Sequence, residues 1–178
     1  MKRLGVVMFV VLIIAGFYRF YGDEGTATGS LTLPGPAPNI GEPAETFEAS
    51  RHDGGSFELS DEGVYVLTFW NEYNRDTAEA RPELAKLARE YGDKGASFAA
   101  VYVCGVPRAE ESAPYAVLQD CSGELASLYN VKRVPRTFLI QDGRVEMVQN
   151  VFLSTNQDEL ARVLEERAER TEDDKRRT

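Results

Sequence analysis

The chain has 178 residues, enough for one domain with tails, and its 43% apolar content can supply a core. It carries 29 acidic against 20 basic side chains, a net charge of −9, which argues against nucleic acid as a partner and fits a soluble, acidic surface. Two cysteines and one histidine make a poor metal site, and no glycine-rich phosphate loop is present, so no metal or cofactor is expected.

Residues 1–21 read as a targeting segment. Met1-Lys2-Arg3 is a short basic start, residues 4–18 are apolar and uncharged, and Arg19-Phe20-Tyr21 follows. The run is shorter than the ~20 residues of a comfortable span. Tyr18, Phe20 and Tyr21, however, suit a membrane interface. Ala27-Thr28-Gly29 is only a weak cleavage site, so the expectation is an uncleaved signal anchor with the folded domain outside the cytoplasmic membrane, and a cleaved signal peptide stays open as the alternative. Residues 22–46 hold five glycines and four prolines and read as a linker. Residues 47–170 should form the domain, and residues 171–178 a charged, fraying tail.

Within the domain, strands and helices alternate. Phe47-Glu48-Ala49 and Ser56–Leu59 flank a polar turn holding His52 and read as a hairpin. Val64–Trp70 is almost wholly apolar, as a strand covered on both faces must be. Leu84, Leu87, Ala88 and Tyr91 share one helical face, and Gly92 and Gly95 end that helix. Ser97–Val103 and Tyr115–Gln119 read as further buried strands. Gly123–Tyr129 is predicted as a short helix with Leu125, Leu128 and Tyr129 inward. Thr137–Gln141 and Val145–Asn150 flank Asp142-Gly143, a two-residue hairpin turn. Ser154-Thr155-Asn156-Gln157 opens a last helix as a capping box, with Leu160, Val163 and Leu164 inward.

The segment after Val64–Trp70 decides how the chain is read. A strand ending in Phe69-Trp70, a short turn, then a helix broken early by Pro82 is the layout of a thioredoxin-like active site. Phe47-Glu48-Ala49-Ser50 with Asp53-Gly54, Phe57–Asp61, Val66–Trp70, Arg81–Leu84 and Val131–Gly143 recur in the matching order and spacing. In these features the chain resembles the TlpA/ResA-type branch of the thioredoxin superfamily, membrane-anchored extracytoplasmic thiol-disulfide proteins of bacteria. The resemblance implies an α/β thioredoxin-like sandwich, a central mixed sheet flanked by helices, carrying an N-terminal hairpin and a membrane anchor. It implies a cis peptide at Val134-Pro135. It also places the reactive Cys-x-x-Cys at residues 74–77, which here are Asn74-Arg75-Asp76-Thr77.

The missing thiols matter because of what that position does. A cysteine at a helix N-terminus is acidified by the dipole and backbone N–H groups, and its thiolate attacks a substrate disulfide that a second cysteine resolves. Asn74 and Thr77 can do neither, whereas Asn74 suits an N-cap and Asp76 suits the first turn. Further groove positions depart from the family: Ala80 stands where glutamate is usual, Arg136 where threonine is common, and Phe152 near a usual glycine. Trp70 and Tyr73 read as core and rim of that groove.

Cys104 and Cys121 each follow a strand, and if both strands run parallel to Val64–Trp70 the two thiols lie at the same sheet edge as Asn74. A structural disulfide, two separate thiols and a relocated redox pair all remain open. Two function classes follow. One is a non-catalytic domain that binds an exported or membrane protein partner through the groove around Trp70, Tyr73, Asn74, Arg75, Asp76, Thr77, Val134, Pro135 and Phe152. The other is a thiol-disulfide oxidoreductase working through Cys104 and Cys121.

Overall fold

The computed structural model describes Pro38 and residues 40–106, 110, 112–150 and 154–177; the side chains of 154–156, 171–175 and 177 are not among those described. The expected anchor at residues 4–18, most of the linker, and Phe152 therefore lie outside the described residues. No helix among the described residues is long and apolar enough to cross a membrane.

Strands β1 (Phe47–Ser50) and β2 (Ser56–Leu59) pair antiparallel as a separate hairpin. The remaining strands are β3 (Val64–Trp70), β4 (Ala96–Tyr102), β5 (Ala116–Gln119), β6 (Arg136–Gln141) and β7 (Arg144–Gln149). They form one sheet in the order β5-β4-β3-β6-β7. β3, β4 and β5 run parallel, while β6 and β7 are antiparallel, so the sheet is mixed as expected. The helices are α1 (Arg75–Tyr91), α2 (Glu124–Leu128) and α3 (Ser154–Arg177). This is a thioredoxin-like α/β fold.

The alternation of side chains along β3 explains why both faces are covered. Val66 and Trp70 point to a core shared with Leu84 and Leu87 of α1 and Leu160 and Leu164 of α3. Leu67 and Phe69 point the other way, onto Phe57 and Leu59 of the hairpin, Phe138, and Tyr129 just beyond α2. Leu67, Phe69, Trp70, Leu84 and Leu160 are completely buried. Each such side chain stabilises the fold by about 1.5–3 kcal/mol relative to exposure. Thr68 meets Thr137 across β3 and β6, hydroxyl to hydroxyl at 3.1 Å, which satisfies two polar groups inside the sheet.

Four local expectations change. Leu128 is 40% exposed and does not turn inward; Leu125 and Tyr129 carry that packing, because α2 is barely more than one turn and shows the core a narrow face. Pro82 does not break α1, which continues through it to Tyr91. The missing N–H of Pro82 removes one internal bond, and the buried face of Ala80, Leu84, Leu87 and Ala88 holds the helix together across that gap. The end of the linker is also tied down: Pro43 bridges to Arg144 and Gly41 N–H donates to Val145 O at 2.7 Å, so residues 41–44 run beside β7. Finally, α3 runs on through the charged segment as far as Arg177.

Four tyrosines pack in these cores, and burial raises the pKa of each. Tyr91 is pushed up to about 12, by burial first and then by the charges of Glu90 and Glu165. Tyr102 and Tyr115 are raised by burial and by Glu110, and Tyr129 by burial and Glu45. In each case the folded value lies above the unfolded value of about 10, so the unfolded chain releases protons that the folded chain keeps. Stability is therefore complete below about pH 10 and falls as pH rises above it. Denaturant midpoints at about pH 8 and about pH 11 should show a clear drop at the higher pH, and equal midpoints would show that these tyrosines titrate freely in the folded state.

Candidate functional site

The carboxyl end of β3 builds the site. Trp70 closes the strand inside the core, and its carbonyl accepts the Val103 N–H at 2.9 Å, tying the turn after β3 to the turn after β4. Asn71 then forms a local turn, its side chain accepting the Tyr73 N–H at 2.8 Å. That turn lifts Tyr73 into solvent, where it is 86% exposed.

Asn74 performs two tasks. Its Oδ1 accepts the Asp76 N–H at 2.8 Å, making it the N-cap of α1 as its residue type predicts. Its Nδ2 donates to the carbonyl oxygen of Val134 at 3.0 Å. The Val134-Pro135 peptide is cis, as the resemblance implies. One amide side chain thus joins the start of α1 to the loop before β6, 60 residues away in sequence. Arg75 points outward and bonds Glu79 one turn on, at 2.9 Å. Asp76 lies exposed in the first turn, where a negative charge complements the helix dipole.

Thr77 turns inward. It is buried, and its hydroxyl has no hydrogen-bond partner. A thiol at this place would be a weak donor at ease in apolar surroundings; the threonine oxygen carries a desolvation cost instead. Ala80, also fully buried, presents only a methyl. Arg136, directly after the cis bond, is half-buried with its guanidinium 5.2 Å from the centre of the Phe138 ring, and burial draws its pKa down. No three His, Cys, Asp or Glu side chains among the described residues converge as a metal site.

Cys104 and Cys121 lie at the same edge, and the sheet brings them together. β4 and β5 pair in parallel up to Tyr102 opposite Gln119, and each cysteine lies two residues beyond that last pair. Both are exposed free thiols, and the Cys104 Sγ lies 3.9 Å from the Cys121 carbonyl oxygen. Cys104 has a left-handed backbone, φ 65°, unusual for a side chain with a Cβ. Gly105 follows with φ 81°, and a Cβ there would stand 2.6 Å from the Glu72 carboxylate. Glycine therefore lets the turn after β4 pack against the turn that carries Tyr73 and Asn74.

One polar cluster went unforeseen. Glu110 is buried, accepts the Tyr115 hydroxyl at 2.6 Å, and lies 3.7 Å from Arg81 of α1. Trp70 packs edge-on against Tyr115 and Tyr102, so the cluster lies behind the closing residue of β3. In sequence, Glu110 is one acid in a charged loop, and nothing local marks it as buried. Asp120 was also missed: its carboxylate accepts the Ala126 N–H at 2.8 Å and supplies the cap that Gly123 cannot give α2.

The AhpC/TSA family pattern matches residues 40–148. The chain belongs to the AhpC/TSA family. No curated protein sequence matches it. Among solved structures, this AhpC/TSA chain is similar to a Chlorobium tepidum protein classed provisionally as the thiol:disulfide interchange protein DsbE. The two share 25% identity and a TM-score of 0.65, over 74% of this chain and 99% of that one. It is similar in fold to the exposed lipoprotein thioredoxin Etrx1 of Streptococcus pneumoniae, at 24% identity and TM-score 0.58, over 68% and 99% of the two chains. The same holds for a secreted Mycobacterium tuberculosis disulfide oxidoreductase homologous to E. coli DsbE, at 22% identity and TM-score 0.56, over 66% and 93%. The matched span includes Asn74 and Thr77, an amide and a hydroxyl.

Two substitutions test the local accounting. Asn74→Ala removes the cap and the bridge to Val134 together, and should lower unfolding stability by about 1–2 kcal/mol, read as a lower denaturant midpoint at unchanged m. Thr77→Val removes the orphaned hydroxyl at nearly constant volume and should raise stability by about 1 kcal/mol; a loss of stability would mean the hydroxyl is satisfied in solution.

Proposed function

We propose that this AhpC/TSA domain is a non-catalytic thioredoxin-like module, held outside the cytoplasm, that binds a protein partner through the groove around Asn74 and Pro135. The observation that carries the reading is the Asn74 side chain, spent on capping α1 and on Val134 O at the place where the family pattern has the attacking thiol. An amide in that position cannot form a mixed disulfide. Beside it, Tyr73 is 86% exposed and the Arg75 side chain 88% exposed. Tyrosine and arginine are the residue types that most often anchor protein interfaces. A scaffold retained without its thiols still offers such a surface, and Trp70, Thr77, Val134 and Pro135 hold it in place from beneath.

The placement outside the cytoplasm rests on Met1-Lys2-Arg3 and the apolar run at residues 4–18, which read as a signal anchor. A secreted oxidoreductase and an exposed lipoprotein among the structurally similar proteins agree with it.

The reading has two arms to test. With Cys104 and Cys121 both changed to serine, the protein should reduce insulin no faster than dithiothreitol alone; turnover above that level would overturn a non-catalytic groove. A photo-crosslinking residue at position 73 of the full chain should capture one discrete partner in the native cell's membrane or extracytoplasmic fraction. Arg75→Glu and Pro135→Ala should each reduce that yield severalfold. Capture in the cytoplasm, or yields indifferent to both substitutions, would sink the partner-groove assignment.

A further inference from the structure

We infer that Cys104 and Cys121 are a redox-responsive modification site, a dithiol that closes reversibly to a disulfide and thereby resets the rim beside Asn74. Neighbouring strands run about 4.8 Å apart, within the Cα separation of about 4.4–6.8 Å that a disulfide spans. The β4–β5 register carries the two cysteines off the sheet at the same level. The chain beside each thiol is pinned. Val103 N–H is bonded to Trp70 O at 2.9 Å, Asp120 N–H to Tyr102 O at 2.9 Å, and the Asp120 carboxylate to Ala126 N–H at 2.8 Å. Both side chains nevertheless face solvent, so an oxidant can reach them. The Cys104 thiol already lies 3.9 Å from the backbone of Cys121.

The left-handed backbone of Cys104 adds a second observation. A residue with a Cβ held at φ 65° is maintained there by its surroundings, here the neighbouring Gly105 turn against Glu72. Closing the disulfide draws the Cys104 Sγ from the Cys121 carbonyl to the Cys121 sulfur. That movement acts on the turn Cys104-Gly105, and through Glu72 and the Val103–Trp70 bond on the turn bearing Tyr73 and Asn74. The chemistry is thiol-disulfide exchange with a disulfide R–S–S–R, either a small-molecule disulfide or one carried by an exported protein. One cysteine thiolate attacks a sulfur of R–S–S–R, the S–S bond breaks, and R–S⁻ leaves and takes up a proton. The second cysteine thiolate attacks the new mixed disulfide and releases the other R–S⁻. The protein gives up two electrons and two protons, and R–S–S–R becomes two R–SH. Control of the groove rests on the partner-binding reading; closure of the bridge does not.

The test uses the full chain and glutathione disulfide, with no partner needed. Reduced protein should show two titratable thiols and, after equilibration with glutathione disulfide, none, with peptides holding Cys104 and Cys121 joined and no glutathione retained. Reduced glutathione should return both thiols in the folded protein. Trp70, the one tryptophan in the chain, reports on the rim, and its emission should shift between the two states. Cys104→Ser should take up one glutathione at Cys121 and show no such shift. Two thiols that persist, two separate glutathione adducts, or a bridge that reductant opens only on unfolding would each overturn the proposal. A reversible bridge with unchanged Trp70 emission would overturn the coupling to the rim. Absence of crosslinking at position 73 in both the reduced and the bridged protein would count against the groove reading and leave the redox site standing.

Discussion

The fold depends on β3 being covered on both faces. A strand with Leu67 and Phe69 on one side and Val66 and Trp70 on the other has no solvent face to offer, so helices must cover one side and the hairpin with α2 the other. The same constraint fixes the position of the site. The chain cannot stay in the core after Trp70, since the next residues are polar, and it emerges at the one sheet edge where β3, β4 and β5 all end. Asn74, Cys104 and Cys121 all lie on that edge because three parallel strands stop there.

At the edge, Asn74 joins two elements through a single side chain. A helix start needs an acceptor for its free N–H groups, and the loop before β6 presents a carbonyl that needs a donor. An amide side chain is both, and one residue meets both demands. Thr77 is less well suited, its oxygen buried with nothing to bond. The two positions therefore differ in kind: Asn74 does structural work, and Thr77 carries a small flaw.

The sequence displayed most of the architecture. The apolar run Val64–Trp70, the period of Leu84, Leu87 and Tyr91, and the Asp142-Gly143 turn are local signals, and each strand formed within a residue or two of expectation, whereas α1 continued past Pro82 and α3 past residue 170. The N-cap role of Asn74 was legible for the same reason: capping depends on one side chain and its next neighbours in sequence. Its bond to Val134 was not legible, because only the folded sheet brings residues 60 apart into contact. Glu110 was hidden likewise, since burial of an acid is decided by Tyr115 and Arg81 arriving from other elements. Leu128 failed in the opposite sense: a short apolar pattern promised an inward face that a five-residue helix does not have. The proximity of Cys104 to Cys121 lay between these cases, predictable once the strands were taken as parallel neighbours, but not in its left-handed detail.

The occupied carbonyl of Val134 has a consequence for how anything can dock. A peptide that adds as an extra strand relies on free main-chain donors and acceptors along the surface it joins. Here one lone pair of that carbonyl is already engaged by the protein's own side chain. An incoming backbone N–H must share the oxygen or displace Asn74, and displacement also strips α1 of its cap. Main-chain pairing, which is blind to sequence, is thereby handicapped. For a partner docked as proposed, discrimination would pass to side chains meeting Tyr73, Arg75 and Arg136, and the surface would select by what the partner's residues are and not merely by its being extended.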